Sequence, residues 1–72
     1  MSHPGTITFV DHAKGTTADR PVAEVPEGIA WYGTGAARVP VTRVEASDRG
    51  GTLEITRYGA DGALLDVTVG GR

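Results

Sequence analysis

The side chains here with the most to offer chemically are a few rings and a set of arginines. Trp31 and Tyr32 are adjacent, Tyr58 stands alone, and Arg38, Arg43 and Arg57 are spread through the second half of the chain. Rings beside guanidinium groups suit two tasks. They anchor protein partners, because aromatic and arginine side chains dominate interface energetics. They also stack and neutralise single nucleic-acid strands. The formal net charge of −2 speaks against the second task, since nucleic-acid domains gather phosphate with basic patches.

The other reactive residue types form no catalytic or metal pattern. His3, Asp11, His12 and Asp19 are the metal-ligand types nearest one another, at no spacing known for a metal site, and read as solvated loop residues. Gly33-Thr34-Gly35-Ala36-Ala37-Arg38 has two glycines of a phosphate loop and lacks the third. Ser47 lies in no nucleophile elbow. With no cysteine there is neither thiol chemistry nor a disulfide. No metal and no cofactor are expected. A site shared across a dimer is the one route left to catalysis, and a single-stranded nucleic-acid-binding barrel is the main alternative to protein interaction.

The elements that position these residues are strands. Eight Val and nine Thr against three Leu and one Lys favour extended chain, and eleven Gly with four Pro supply turns. The clearest signal is a hairpin. Leu53–Tyr58 and Leu64–Val69 alternate large and polar residues around Gly59-Ala60-Asp61-Gly62. A three-residue loop, Ala60-Asp61-Gly62, makes facing residues sum to 122. Leu53 then meets Val69, Ile55 meets Val67 and Arg57 meets Leu65, which gathers the aliphatics on one face. That loop needs a residue at positive φ, and Gly62 stands there. Tyr58 and Leu64 pair on the opposite face.

Further strands are expected at Thr6–Val10, Arg20–Val25, Ile29–Tyr32 and Arg38–Ala46, with Asp11–Asp19 as a polar loop. Pro21 and Pro26 bracket the second, so it is short and at an edge. In the fourth, Val39 and Val41 point one way while Val44 and Ala46 point the other. A bulge near Pro40–Arg43, or burial of both faces, would account for that. Pro26-Glu27-Gly28 reads as a turn.

Arg57-Tyr58-Gly59-Ala60-Asp61-Gly62-Ala63-Leu64 resembles part of the tyrosine–aspartate repeats of large bacterial shell-forming toxins. The likeness covers eight of 72 residues, places Gly59 where the repeat has aspartate, and occurs once. It implies shared hairpin chemistry, and no function is carried over. Arginine-rich, lysine-poor, Gly/Ala-rich usage is that of a GC-rich bacterial genome.

The expectation is therefore an all-β single domain over residues 1–72, with 1–5 as a loose N-terminus. Five or six short antiparallel strands form a small barrel or rolled sheet with little or no helix. The inner face should hold Ile7, Phe9, Val22 or Val25, Ile29, Trp31, Val44, Leu53, Ile55, Val67 and Val69. The partner-binding residues are Tyr32, Tyr58, Leu64, Arg43 and Arg57. A domain this small buries only about 60% of its unfolded surface, so it gains from association, and a homodimer or another protein partner is expected. No secretory signal and no membrane-spanning run are present in the sequence given. The expected setting is cytoplasmic.

Overall fold

The computed structural model describes residues 5–70. His3 and, apart from Gly5, the expected loose N-terminus lie outside the described residues. Strand β1, Thr6–Asp11, folds back into β2, Thr16–Pro21. Asp11 builds the turn between them, its Oδ1 accepting from the backbone N–H of Ala13 at 3.0 Å and of Lys14 at 3.2 Å. The chain then leaves the sheet. A 3-10 turn at Val22–Glu24 and the single-turn helix α1, Glu27–Ala30, lead to β3, Trp31–Tyr32. A 3-10 turn at Gly35–Ala37 brings the chain back as β4, Val39–Pro40, antiparallel to β3. Three strands finish the fold as a meander: β5, Arg43–Arg49, β6, Thr52–Tyr58, and β7, Leu64–Gly70.

Five strands form one sheet in the order β2-β1-β5-β6-β7. The class is small all-β. The sheet is open, with β2 and β7 as its edges, rather than closed into a barrel. One pair departs from the antiparallel expectation: β1 and β5 run parallel. Parallel neighbours need a crossover, and the chain between β2 and β5 supplies it across one face of the sheet. The core lies beneath it. Ile7, Val41, Ala30 and Val44 are buried, and Phe9, Val22, Val25, Trp31, Ile55 and Leu65 pack around them.

The crossover explains several differences from the sequence reading. The expected strand Arg20–Val25 divides, because Arg20 and Pro21 end β2 and Val22–Glu24 turns away. Most of β2 comes from the expected polar loop; its side chains are all exposed, so it carries no alternation to read. Ile29 belongs to α1, where Pro26 O accepts from the N–H groups of Ile29 and Ala30 at 3.0 and 2.9 Å. It is exposed rather than internal. The run Arg38–Ala46 is broken at Val41-Thr42. Val41 N–H donates to Ala30 O at 2.9 Å, Thr42 N–H to Tyr58 O at 2.9 Å, and Thr42 Oγ1 to Gly59 O at 2.7 Å. That local break shifts the phase, so Val41 and Val44 enter the same core.

The hairpin keeps its loop and changes its register. Gly62 has φ +79°, Gly62 N–H donates to Gly59 O at 3.1 Å, and Gly59 N–H to Ala63 O at 2.8 Å. Tyr58 faces Leu64 as expected. One residue further on, Arg57 faces Asp66, Ile55 faces Thr68 and Leu53 faces Gly70. The extra residue is Leu65, a β-bulge that sends Leu65 and Asp66 to the same face. The expected pairs Ile55–Val67 and Leu53–Val69 are therefore absent, and both valines lie on the opposite face from Ile55. Val67, Val69 and Leu53 are exposed. The reason is Arg57. Its guanidinium points under the crossover, where a partly buried charge requires a carboxylate, and only the bulged register brings Asp66 to it.

Candidate functional site

The ladder sorts side chains into rows. Beneath the crossover run Ala18–Phe9–Val44–Arg57–Asp66 and Thr16–Asp11–Ala46–Ile55–Thr68. On the other face run Asp19–Thr8–Arg43–Tyr58–Leu64 and Thr17–Val10–Glu45–Thr56–Val67. No element among the described residues packs on that second face.

These rows divide the five residues expected to bind a partner. Arg43, Tyr58 and Leu64 stand side by side on the open face. Tyr32 and Arg57 sit on the covered side, with the Arg57 guanidinium carbon 5.8 Å from the Tyr32 ring centroid. A single patch of Tyr32, Tyr58 and Leu64 does not form, because the sheet lies between them.

Arg57 acts as a clamp. Nε donates to Asp66 Oδ1 at 2.8 Å, Nη2 donates to Oδ2, and Nη1 donates to the carbonyls of Gly28 at 2.9 Å and of Ile29 and Trp31 at 3.3 Å. It thus ties α1 and β3 to the sheet. The hydrogen bonds from Arg57 hold the Asp66 carboxyl below the ordinary aspartate range against the opposing effect of burial, and those to Asp66 raise Arg57 in turn. With its donors so engaged, Arg57 positions the crossover and presents little to a partner.

Arg43 is engaged as well. Its Nε donates to Glu45 Oε2, and His12 Nε2 lies 2.9 Å from Glu45 Oε1. The Arg43 hydrogen bond, then that of His12, lowers the Glu45 carboxyl. Arg38 lies elsewhere, with its guanidinium carbon 4.1 Å over the half-buried Trp31 ring. The arginines therefore form no continuous basic stripe. Of the metal-ligand types, Asp11 holds its turn, His12 meets Glu45, and Asp19 accepts from Thr8 Oγ1 at 2.8 Å. Among the described residues no three His, Asp or Glu side chains cluster to hold a metal ion. No helix among them is long and apolar enough to cross a membrane.

No protein-family model, curated protein or solved structure matches this chain. The functional reading rests on geometry alone. Two surfaces stand out. One is an apolar trough of about 590 Å³ on the covered side, between the sheet and the crossover's α1, floored by Phe9, Val44, Ala46 and Ile55 and walled by Ile29 and Thr68. The other is the β7 edge. Leu64, Val67 and Val69 are 60%, 48% and 60% exposed, all on the open face. Sequence reasoning placed the two valines inside. Only the bulge reveals them, and nothing in the local pattern signals it.

Proposed function

We propose that this chain is a non-catalytic protein-interaction module that self-associates through the open face and edge of its sheet at β7. The observation that carries the reading is the run Leu64, Val67 and Val69, exposed together along an edge strand. An edge offers unpaired backbone donors and acceptors, and strand addition to such an edge is a general mode of protein recognition. Exposed aliphatics alongside supply the apolar area that main-chain bonds lack. Arg43 and Tyr58, next along the row from Leu64, border this surface. The small core favours the same reading, since only four buried hydrophobic residues among those described leave the monomer short of apolar burial.

Sedimentation velocity across the micromolar range tests it. The expected result is a dimer at the upper end, with Val67→Lys sedimenting as a folded monomer under the same conditions. A wild-type chain that stays monomeric throughout would overturn the proposal.

A further inference from the structure

Resting on the self-association just proposed, we infer its geometry. Two copies join β7 to β7, antiparallel, about a two-fold axis that passes through Thr68 normal to the sheet. The result is one continuous sheet in which Val67 of each copy faces Val69 of the other.

The choice of edge follows from a contrast. Edge β2 contributes Thr16, Thr17, Asp19, Arg20 and Pro21, all exposed. Charge and proline are the devices that keep edges from pairing. Edge β7 has no proline, lysine or arginine. Its one charge, Asp66, is turned to the covered face and held by Arg57.

The register follows from the bulge. A two-fold axis normal to the sheet makes identical strands antiparallel and keeps each face on its own side, so facing residues must point the same way. From Asp66 to Gly70 the alternation is regular: Val67 and Val69 point to the open face, Asp66 and Thr68 to the covered one. At Leu65 the alternation breaks, since Leu65 and Asp66 share a face. An axis through Val67 would set Leu65 against Val69, which point to opposite faces. An axis through Asp66 would set two carboxylates together. An axis through Val69 would keep fewer residues of the regular run in register. The axis through Thr68 confines pairing to the regular run. It sets Val67 against Val69 twice, Thr68 against Thr68, and Asp66 against Gly70. β-Branched and threonine pairs are favourable sheet neighbours, and no like charges meet.

The chain contains no cysteine, so single-cysteine variants report the register directly. Only a residue on the axis meets its own counterpart, at about 4.5–5.5 Å between Cβ atoms, close enough for a disulfide after a small adjustment. Full-length Thr68→Cys, Val67→Cys and Val69→Cys are each oxidised mildly at a concentration where the wild type is dimeric, and read by intact mass and non-reducing gel. Thr68→Cys is expected to link about tenfold faster than either other variant alone, because only an axial pair satisfies disulfide geometry. A mixture of Val67→Cys and Val69→Cys should link to each other in preference to themselves. If the chain sediments as a dimer but Val67→Cys or Val69→Cys self-links faster than Thr68→Cys, the register is overturned while self-association stands. If the wild type is monomeric and Thr68→Cys links no faster than a loop control, Asp61→Cys, both fall.

Discussion

Replacing Arg57 with methionine tests the clamp on which the arrangement of sheet and crossover depends. The Arg57 and Asp66 side chains are 16% and 26% exposed, so their pairing is only partly screened. A hydrogen bond to a charged group contributes about 1.5–3 kcal/mol, and the partial exposure places each of the two bonds to Asp66 near the lower figure, about 3 kcal/mol together. The bond to the Gly28 carbonyl adds about 1 kcal/mol. The apolar methionine stem recovers about 1 kcal/mol by burial. The net expectation is a loss of about 3 kcal/mol. For a domain of this size that is a fall in Tm of roughly 12–24 °C. Thermal melts by circular dichroism and urea titrations followed by Trp31 fluorescence, at one fixed protein concentration, measure it. Asp66→Asn should cost less than Arg57→Met, and the double variant less than the sum of the two, because one interaction is removed twice. A loss below about 1 kcal/mol for Arg57→Met, or strict additivity in the cycle, would refute the argument that this pair sets the register.

Gly62→Ala should destabilise by about 1–2 kcal/mol in urea, since alanine is strained at φ +79°. Gly59→Ala should stay within about 0.5 kcal/mol of wild type, because a Cβ there would meet the Leu65 side chain at 3.4 Å, in a backbone conformation open to any residue. Val41→Ala, at a fully buried site, should cost about 2 kcal/mol in the same assay. Acid titration of stability has a definite sign. Asp66 is held below its ordinary value in the folded chain, so its contribution is complete above the ordinary aspartate range and disappears as pH falls through the lowered one. The Asp66 contribution should hold steady from neutral pH down to about 5 and then decline as pH falls, with a shallower decline in Asp66→Asn.

What could be read from the chain was local. The two strands, the three-residue loop and the positive φ of Gly62 all depend on neighbours within a few residues, and all are present in the fold; the alternation holds along Leu53–Tyr58 and from Asp66 onward, and fails at Leu65. The bulge was not legible, because the local pattern favours the register that gathers the aliphatics, and the choice against it lies with Arg57, whose partners at Gly28, Ile29 and Trp31 are distant in sequence. The same reason hid the exposed valines. Strand β2 escaped notice because a strand exposed on both sides has no apolar period to show. The parallel pairing of β1 with β5 was invisible because side-chain periodicity says which face a residue takes and nothing about strand order. Of the residues expected to bind a partner, Tyr58 and Leu64 were legible as neighbours from the register at the turn end of the hairpin, where the expected and observed pairings agree; that Arg43 stands beside Tyr58 comes from the β5–β6 pairing, which the sequence did not show.

Leu65 has one more consequence. The ladder from Leu53 to Tyr58 counts one residue fewer than the strand it faces, so Leu65 is spare to the alignment. A gene shortened by that single codon would still bring Arg57 opposite Asp66, at the cost of the leucine's packing on the core beside Gly59. A gene shortened by any codon between Val67 and Gly70 would keep that packing and reverse the orientation of every side chain after the cut. Tolerance to deletion along this final strand is therefore expected to be lopsided, generous at one position near the turn and severe beyond it.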